Sequence, residues 1–191
     1  MKKDSDKLIN VHSVVPSSRV NGPGKRMVVF FQGCCRNCTG CFNPETHSFK
    51  KVHLYTTKDI LKNFLLPDTE GITVSGGEPF NQGNGLFQLL KIAKEEYGLS
   101  TVVYTGFSYE ELIGRCERRP IFNYIDVLID GAYKDDMKEP TLLARGSTNQ
   151  SFLFFSDRYE QKDFYMPAKV EIIISRDGTI RETGFSKVEL Y

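Results

Sequence analysis

Cys34, Cys38 and Cys41 fall at a C-x3-C-x2-C spacing just after an apolar run, Met27-Val28-Val29-Phe30-Phe31. Thiolates are soft ligands that hold iron–sulfur clusters or zinc. Three of them satisfy three corners of a four-iron, four-sulfur cluster. The fourth iron then has no protein ligand and is open to a substrate or cofactor. Electron-carrier ferredoxins close the cluster with four cysteines, so a site one ligand short points to chemistry at iron. Zinc is the other reading, because a structural zinc takes four ligands and the three cysteines with His47 could supply them. Cys35-x2-Cys38-x2-Cys41 is a ferredoxin-like fragment with no nearby fourth cysteine. Cys116 is remote and reads as merely packed or exposed, and Cys35 reads as a bystander.

A second group is Ser75-Gly76-Gly77-Glu78-Pro79. Its glycines permit close backbone approach and unusual dihedrals. Carbonyls exposed there can accept hydrogen bonds from a ligand ammonium, and the Glu78 carboxylate adds negative charge. An amino-acid-like ligand suits such an edge. Alone the stretch reads as an ordinary turn; after a core strand, and downstream of three cysteines, it becomes specific. No nucleophile–base pair and no acid/base carboxylate pair stands out. Of His12, His47 and His53, His47 lies nearest the cysteines and is a candidate for support behind them. Arg115, Arg118 and Arg119 read as a solvated face.

Elements must carry these groups. Residues 8–15 read as a short strand, 21–24 as a turn, and 27–32 as a buried strand rich in β-branched and aromatic residues. A helix is expected at 57–66, with Thr57 as N-cap. A second core strand at 71–75 runs straight into the glycines, and Leu86, Leu89, Leu90 and Ala93 mark one face of a helix at 84–97. A third strand at 101–104, a short helix capped by Ser108 and a fourth strand at 125–129 follow. Further apolar runs occupy 152–155 and 169–175, and Asp177-Gly178 signals a terminal hairpin between 170–175 and 179–183. Strand and helix alternate, which predicts an α/β fold with a largely parallel sheet. About four units are too few for a closed eight-fold barrel, so a partial, open barrel is expected. Every chemical motif follows a strand, and carboxyl ends of parallel strands share one rim.

The 191 residues suit one domain, with a core at about 20–155 and a C-terminal extension at about 156–191. Lys and Arg number 25 against 24 Asp and Glu, which argues against nucleic acid or a membrane surface as main partner. The charged N-terminus lacks an apolar segment behind it, and no stretch approaches the length of a membrane span. Clustered cysteines in such a chain suit metal binding in a reducing, cytoplasmic compartment.

With C-x3-C-x2-C and Gly-Gly-Glu-Pro together, the chain resembles the radical S-adenosylmethionine superfamily. Gln32-Gly33-Cys34, Cys41-Phe42-Asn43-Pro44-Glu45-Thr46, Ser75–Phe80, Tyr104–Leu112, Leu128-Ile129-Asp130-Gly131 and Arg145-Gly146-Ser147-Thr148-Asn149-Gln150 resemble, more narrowly, the activating proteins of anaerobic (class III) ribonucleotide reductases. The resemblance implies a [4Fe-4S] cluster held by Cys34, Cys38 and Cys41, and S-adenosyl-L-methionine chelating the open iron. It implies that Ser75, Gly76, Gly77 and Glu78 hold the methionyl end, that Gly40 and Phe42 flank the adenine, and that Thr105, Asp130 and Arg145 contact the ribose, ammonium or carboxylate. The implied activity is reductive cleavage to a 5′-deoxyadenosyl radical that makes a glycyl radical on a partner enzyme, with an electron donor such as flavodoxin or ferredoxin. Alternatives are another glycyl-radical enzyme, a peptide or a small molecule as target, or a non-catalytic electron carrier or zinc-binding module. Gly40, where many members of the superfamily have an aromatic residue, and Cys35 beside the first ligand are departures from the pattern.

Overall fold

The computed structural model describes residues 7–174 and 177–186, the side chains of 116–118 excepted. The Cys116 side chain and the hairpin position Ser175 therefore lie outside the described residues. In chain order the strands are β1 (Ile9–Ser18), β2 (Arg26–Phe31), β3 (His53–Tyr55), β4 (Gly71–Gly76), β5 (Ser100–Tyr104), β6 (Val127–Asp130), β7 (Ser151–Phe154), β8 (Val170–Ile174) and β9 (Ile180–Gly184). The helices are α1 (Thr57–Phe64), α2 (Gly83–Glu95) and α3 (Tyr109–Ile113).

Seven strands form one mixed sheet in the order β3-β1-β2-β4-β5-β6-β7. The middle strands β2, β4, β5 and β6 are parallel, and antiparallel strands flank them on both sides. β3 and β7 end the sheet without meeting, so the barrel stays open, as the count of units predicts. β8 and β9 make the expected terminal hairpin as a separate two-stranded ribbon.

The parallel strands read as unbroken apolar runs because both their faces are covered. On one face Met27, Val29, Phe31, Ile72, Val74 and Val103 pack against Ile60 and Leu61 of α1, Leu86, Leu89 and Leu90 of α2, and Leu112 of α3. On the other, Val102, Val127 and Ile129 pack against Leu143 and Ala144 from the segment between β6 and β7, and against Phe164 and Met166 from the chain after β7. Alternation along each strand divides the two sets.

Arg26 is fully buried at the start of β2. Its guanidinium donates to Thr73 Oγ1 (2.8 Å), Pro23 O (3.0 Å), Ser100 Oγ (2.9 Å), Ile72 O (2.8 Å) and Ser100 O (3.2 Å). One side chain thereby ties together the amino ends of β2, β4 and β5. A fork of fixed donors does this where a point charge cannot.

The structure corrects some boundaries. Thr56, not Thr57, caps α1: its hydroxyl accepts from Asp59 N–H, and the Asp59 carboxylate accepts from Thr56 N–H, a reciprocal capping box. The helix predicted to run to 97 stops at Glu95, and Gly98, with φ +64°, closes it by donating to Lys94 O. β6 starts two residues later than expected, because Ile125 N–H donates back to Phe122 O in a 3-10 turn. β3 has no counterpart in the sequence pattern, because three residues at a sheet edge are too short a run to read. Among the described residues no helix is long and apolar enough to cross a membrane.

Candidate functional site

The cysteine loop leaves β2 at its carboxyl end and is pinned at both ends. Gly33 N–H donates to Thr46 O (2.8 Å) and Cys34 N–H to His47 O (3.1 Å). The Gln32 side-chain amide donates to Ser48 O (2.6 Å) and pairs through its oxygen with His12 Nδ1 (3.0 Å). Cys34 is buried, Cys38 and Cys41 are half-buried, and Cys35 is exposed beside Asn81. Two thiols already have backbone donors: Arg36 N–H to Cys34 Sγ and Asn43 N–H to Cys41 Sγ, each 3.4 Å. Such bonds favour the thiolate, the form that binds metal, and tune a cluster's potential. Burial pushes the Cys34 thiol up, and the N–H groups of Arg36 and Asn37 oppose that.

The glycine loop packs directly against this one. Gly77 N–H donates to Phe31 O (2.8 Å) and Glu78 N–H to Gly33 O (2.9 Å), which continues the β2–β4 pairing beyond the strands. Gly76 has φ +101°, and a Cβ on Gly77 would collide with the Gly33 carbonyl. Glycine is needed at both positions so that the two loops can touch.

Cys34, Cys38, Cys41, Phe42, Ser75, Gly76, Gly77, Glu78 and Thr105 line one cavity of about 810 Å³, measured with its open mouth. The structure thus brings together residues from the first three strand ends. Glu78 has a more particular place than expected. Its buried carboxylate accepts from Phe80 N–H (3.0 Å), Thr105 Oγ1–H (2.9 Å) and Gly106 N–H (2.8 Å). It ties the loop after β4 to the loop after β5, and the Thr105 hydroxyl is engaged in that tie.

Asp130 and Arg145 are not among the lining residues; their neighbours Gly131, Gly146 and Gln150 are. The Asp130 carboxylate accepts from Tyr109 N–H (2.7 Å) at the start of α3, and burial pushes it up. Arg145 donates to Glu139 (2.6 Å) and to Gln150 O (2.8 Å), bracing the loop between β6 and β7. Gln150 accepts from Gly146 and Ser147 N–H and donates to Gly131 O. Gly40 also lies outside the lining, its α-carbon against the Asp135 carboxylate.

Sequence reasoning missed Tyr133, whose ring meets Phe42 at 5.0 Å, and Asn21, Phe30, Arg36, Asn43, Tyr104, Gly184 and Phe185. Strand alternation could have placed Phe30 and Tyr104 on the cavity face. The others lie on loops or on the extension, where no period exists to read.

The donor set fits a four-iron, four-sulfur cluster. His47 lines the cavity, and its Nε2 is buried with no hydrogen-bond partner, a state that polar groups in a finished interior rarely keep. The thiols share the cavity, but among the described residues no three His, Cys, Asp or Glu side chains converge on a single ion. A cube presents separate iron corners, so thiolates spread around one cavity can each hold one.

An open α/β sheet with three cysteines on its rim defines a single-cluster iron–sulfur protein, and a family model described as a 4Fe-4S single cluster domain matches residues 20–153. Among curated proteins, the anaerobic ribonucleoside-triphosphate reductase-activating protein of Vibrio cholerae is 33% identical over 152 residues, 74% of this chain and 96% of the relative. The protein of that name from Escherichia coli K12 is 35% identical over 151 residues (74% and 96%), and that of phage T4 30% over 148 (74% and 92%). The chain belongs to this family of activating proteins. A solved structure, QueE from Escherichia coli, aligns over 53% of each chain at 17% identity with a TM-score of 0.39, a likeness too slight to bear on the reading.

Proposed function

We propose that this chain binds a [4Fe-4S] cluster and S-adenosylmethionine, cleaves the latter reductively, and installs a glycyl radical on an anaerobic ribonucleotide reductase. The supporting observation is the meeting, in one cavity, of three cysteines at C-x3-C-x2-C spacing with the Ser75–Glu78 loop, in a member of this family. Cys34, Cys38 and Cys41 would hold three corners of the cluster, and Ser75, Gly76 and Gly77 would receive the amino-acid end of S-adenosylmethionine. When bound, the two cofactors supply one-electron cleavage of a carbon–sulfur bond, giving methionine and a 5′-deoxyadenosyl radical that takes a hydrogen atom from a glycine Cα.

The chain's own residues bind, orient and exclude water. Glu78 fixes two rim loops relative to each other through three hydrogen bonds. Phe42, backed by Tyr133, offers a ring face to the adenine, with the backbone of Gly40 nearby in sequence. Asp130 and Arg145 act in this reading through the elements they brace. A flavodoxin or ferredoxin donor and a cytoplasmic location belong to the same proposal.

The test is anaerobic reconstitution, reduction and addition of S-adenosylmethionine, with methionine release and electron paramagnetic resonance recorded with and without a candidate reductase. A glycyl doublet that appears only with the reductase is the expected result. Cleavage without the doublet would move the target to another protein or a small molecule. A spectrum indifferent to S-adenosylmethionine would refute the radical chemistry.

A further inference from the structure

The geometry points to the C-terminal extension as a working part of the cofactor cavity, with Phe185 as one of its walls. This rests on the function proposed above. The matched family model ends at residue 153, whereas the cavity lining includes Gly184 and Phe185.

Strand register shows where that wall stands. Phe30 pairs with Ser75, and Tyr104 pairs with Ile129. Ser75 and Tyr104 lie one step beyond the Val74–Val103 pair. Phe30, Ser75 and Tyr104 thus form one row across the sheet, directly beneath the rim loops, and all three line the cavity. Two residues down each strand, or roughly 7 Å, comes the row Val28, Thr73, Val102 and Val127, fully buried. The cavity ends between these rows. Phe185 lies against Tyr104 at 5.6 Å between ring centroids. Asn21, another lining residue, accepts from Thr73 Oγ1–H through its carbonyl (2.8 Å) and donates from its side chain to Thr183 Oγ1 (2.9 Å).

The extension is built in. The Glu171 carboxylate accepts from Ser18 Oγ–H and from Arg19 N–H, and Phe185 N–H donates to Lys169 O (2.7 Å). Lys169 Nζ donates to Glu139 O (3.0 Å), which joins the ribbon to the loop that Arg145 braces. Gly184 has φ +130°, and a Cβ there would strike the Lys169 carbonyl, so the backbone at Phe185 is held close to the sheet. A half-buried aromatic ring in this position adds apolar contact to the bound cofactor and keeps water from the end of the cavity.

The chain has no tryptophan, so Phe185→Trp supplies a single one, which can be excited at wavelengths beyond the tyrosine band. In the reconstituted protein, S-adenosylhomocysteine should change the emission of F185W saturably and leave that of Ile180→Trp, on the exposed ribbon, unchanged. Equilibrium dialysis of the same ligand should show affinity about tenfold weaker in Phe185→Ala and within about threefold of wild type in Phe185→Leu, with thermal midpoints close to wild type. Wild-type protein that binds S-adenosylhomocysteine, with Phe185 variants that bind it equally and with silent F185W emission, would overturn the wall alone. Wild-type protein that fails to bind it would overturn the functional reading and the wall with it.

Discussion

Replacing Glu78 by glutamine should destabilise the protein even with no cofactor bound. Its carboxylate is buried and accepts three hydrogen bonds of 2.8–3.0 Å. Oε1 takes the Phe80 N–H and the Thr105 hydroxyl, and Oε2 takes the Gly106 N–H. A glutamine oxygen in the Oε1 position keeps two bonds but makes them neutral, and its NH2 then faces the Gly106 N–H, donor against donor. Hydrogen bonds to charged groups contribute about 1.5–3 kcal/mol, against about 1 for neutral ones. Losing one and weakening two gives at least about 2.5 kcal/mol, or about 5 °C or more in a domain of this size. Glu78→Ala strands three buried donors and should cost about 4 kcal/mol or more. Differential scanning calorimetry and urea unfolding of the apoprotein measure both. A Glu78→Gln apoprotein with a wild-type midpoint would refute the structural tie and return the carboxylate to direct ligand binding.

Alanine at Cys34, Cys38 or Cys41 should abolish cluster retention and S-adenosylmethionine cleavage, whereas Cys35→Ala should keep both; iron analysis and visible absorption after anaerobic reconstitution decide it. Arg26→Lys should lose about 3 kcal/mol by urea unfolding, because an ammonium cannot serve five acceptors spread over β4, β5 and the turn before β2. Asp126 gives a pH signature. Burial alone would raise its carboxyl, but Lys94 (2.8 Å), Ser156 and the Thr101 N–H together hold it below the usual range. Its contribution to stability is therefore complete above the unfolded carboxylate pKa, about 4, and is lost as pH falls through the lower folded value. Asp126→Asn should be less stable at neutral pH and show a shallower decline in unfolding midpoint below about pH 4.

The sequence made the middle of the sheet and the three-cysteine loop legible for one physical reason: buried parallel strands write apolar runs, and metal ligands write spacings. Ser108 was readable as a cap because its hydroxyl has one job, at one turn. The cap falls on Thr56, one residue before the Thr57 that the pattern suggests, because two threonines stand side by side and only the Asp59 side chain shows which of them closes the box. The rim was legible as a set of strand ends but not in its details. Asp130 and Arg145 carry charge on the right loops, yet charge in a sequence does not say which way a side chain turns, and both turn to their own scaffold. Phe185 was invisible for a different reason. It reaches the cavity through a ribbon more than thirty residues past β7's start, and no local period encodes such a return.

The cysteine loop is fastened at its stem by Gly33, Cys34 and Gln32 to backbone groups of residues 46–48. A loop tied at its stem in this way takes part of its fastening from the polypeptide, whereas a zinc finger depends on its ion for folding. Protein bleached by air and then resupplied with iron and sulfide should therefore regain its visible absorption without a denaturation and refolding step.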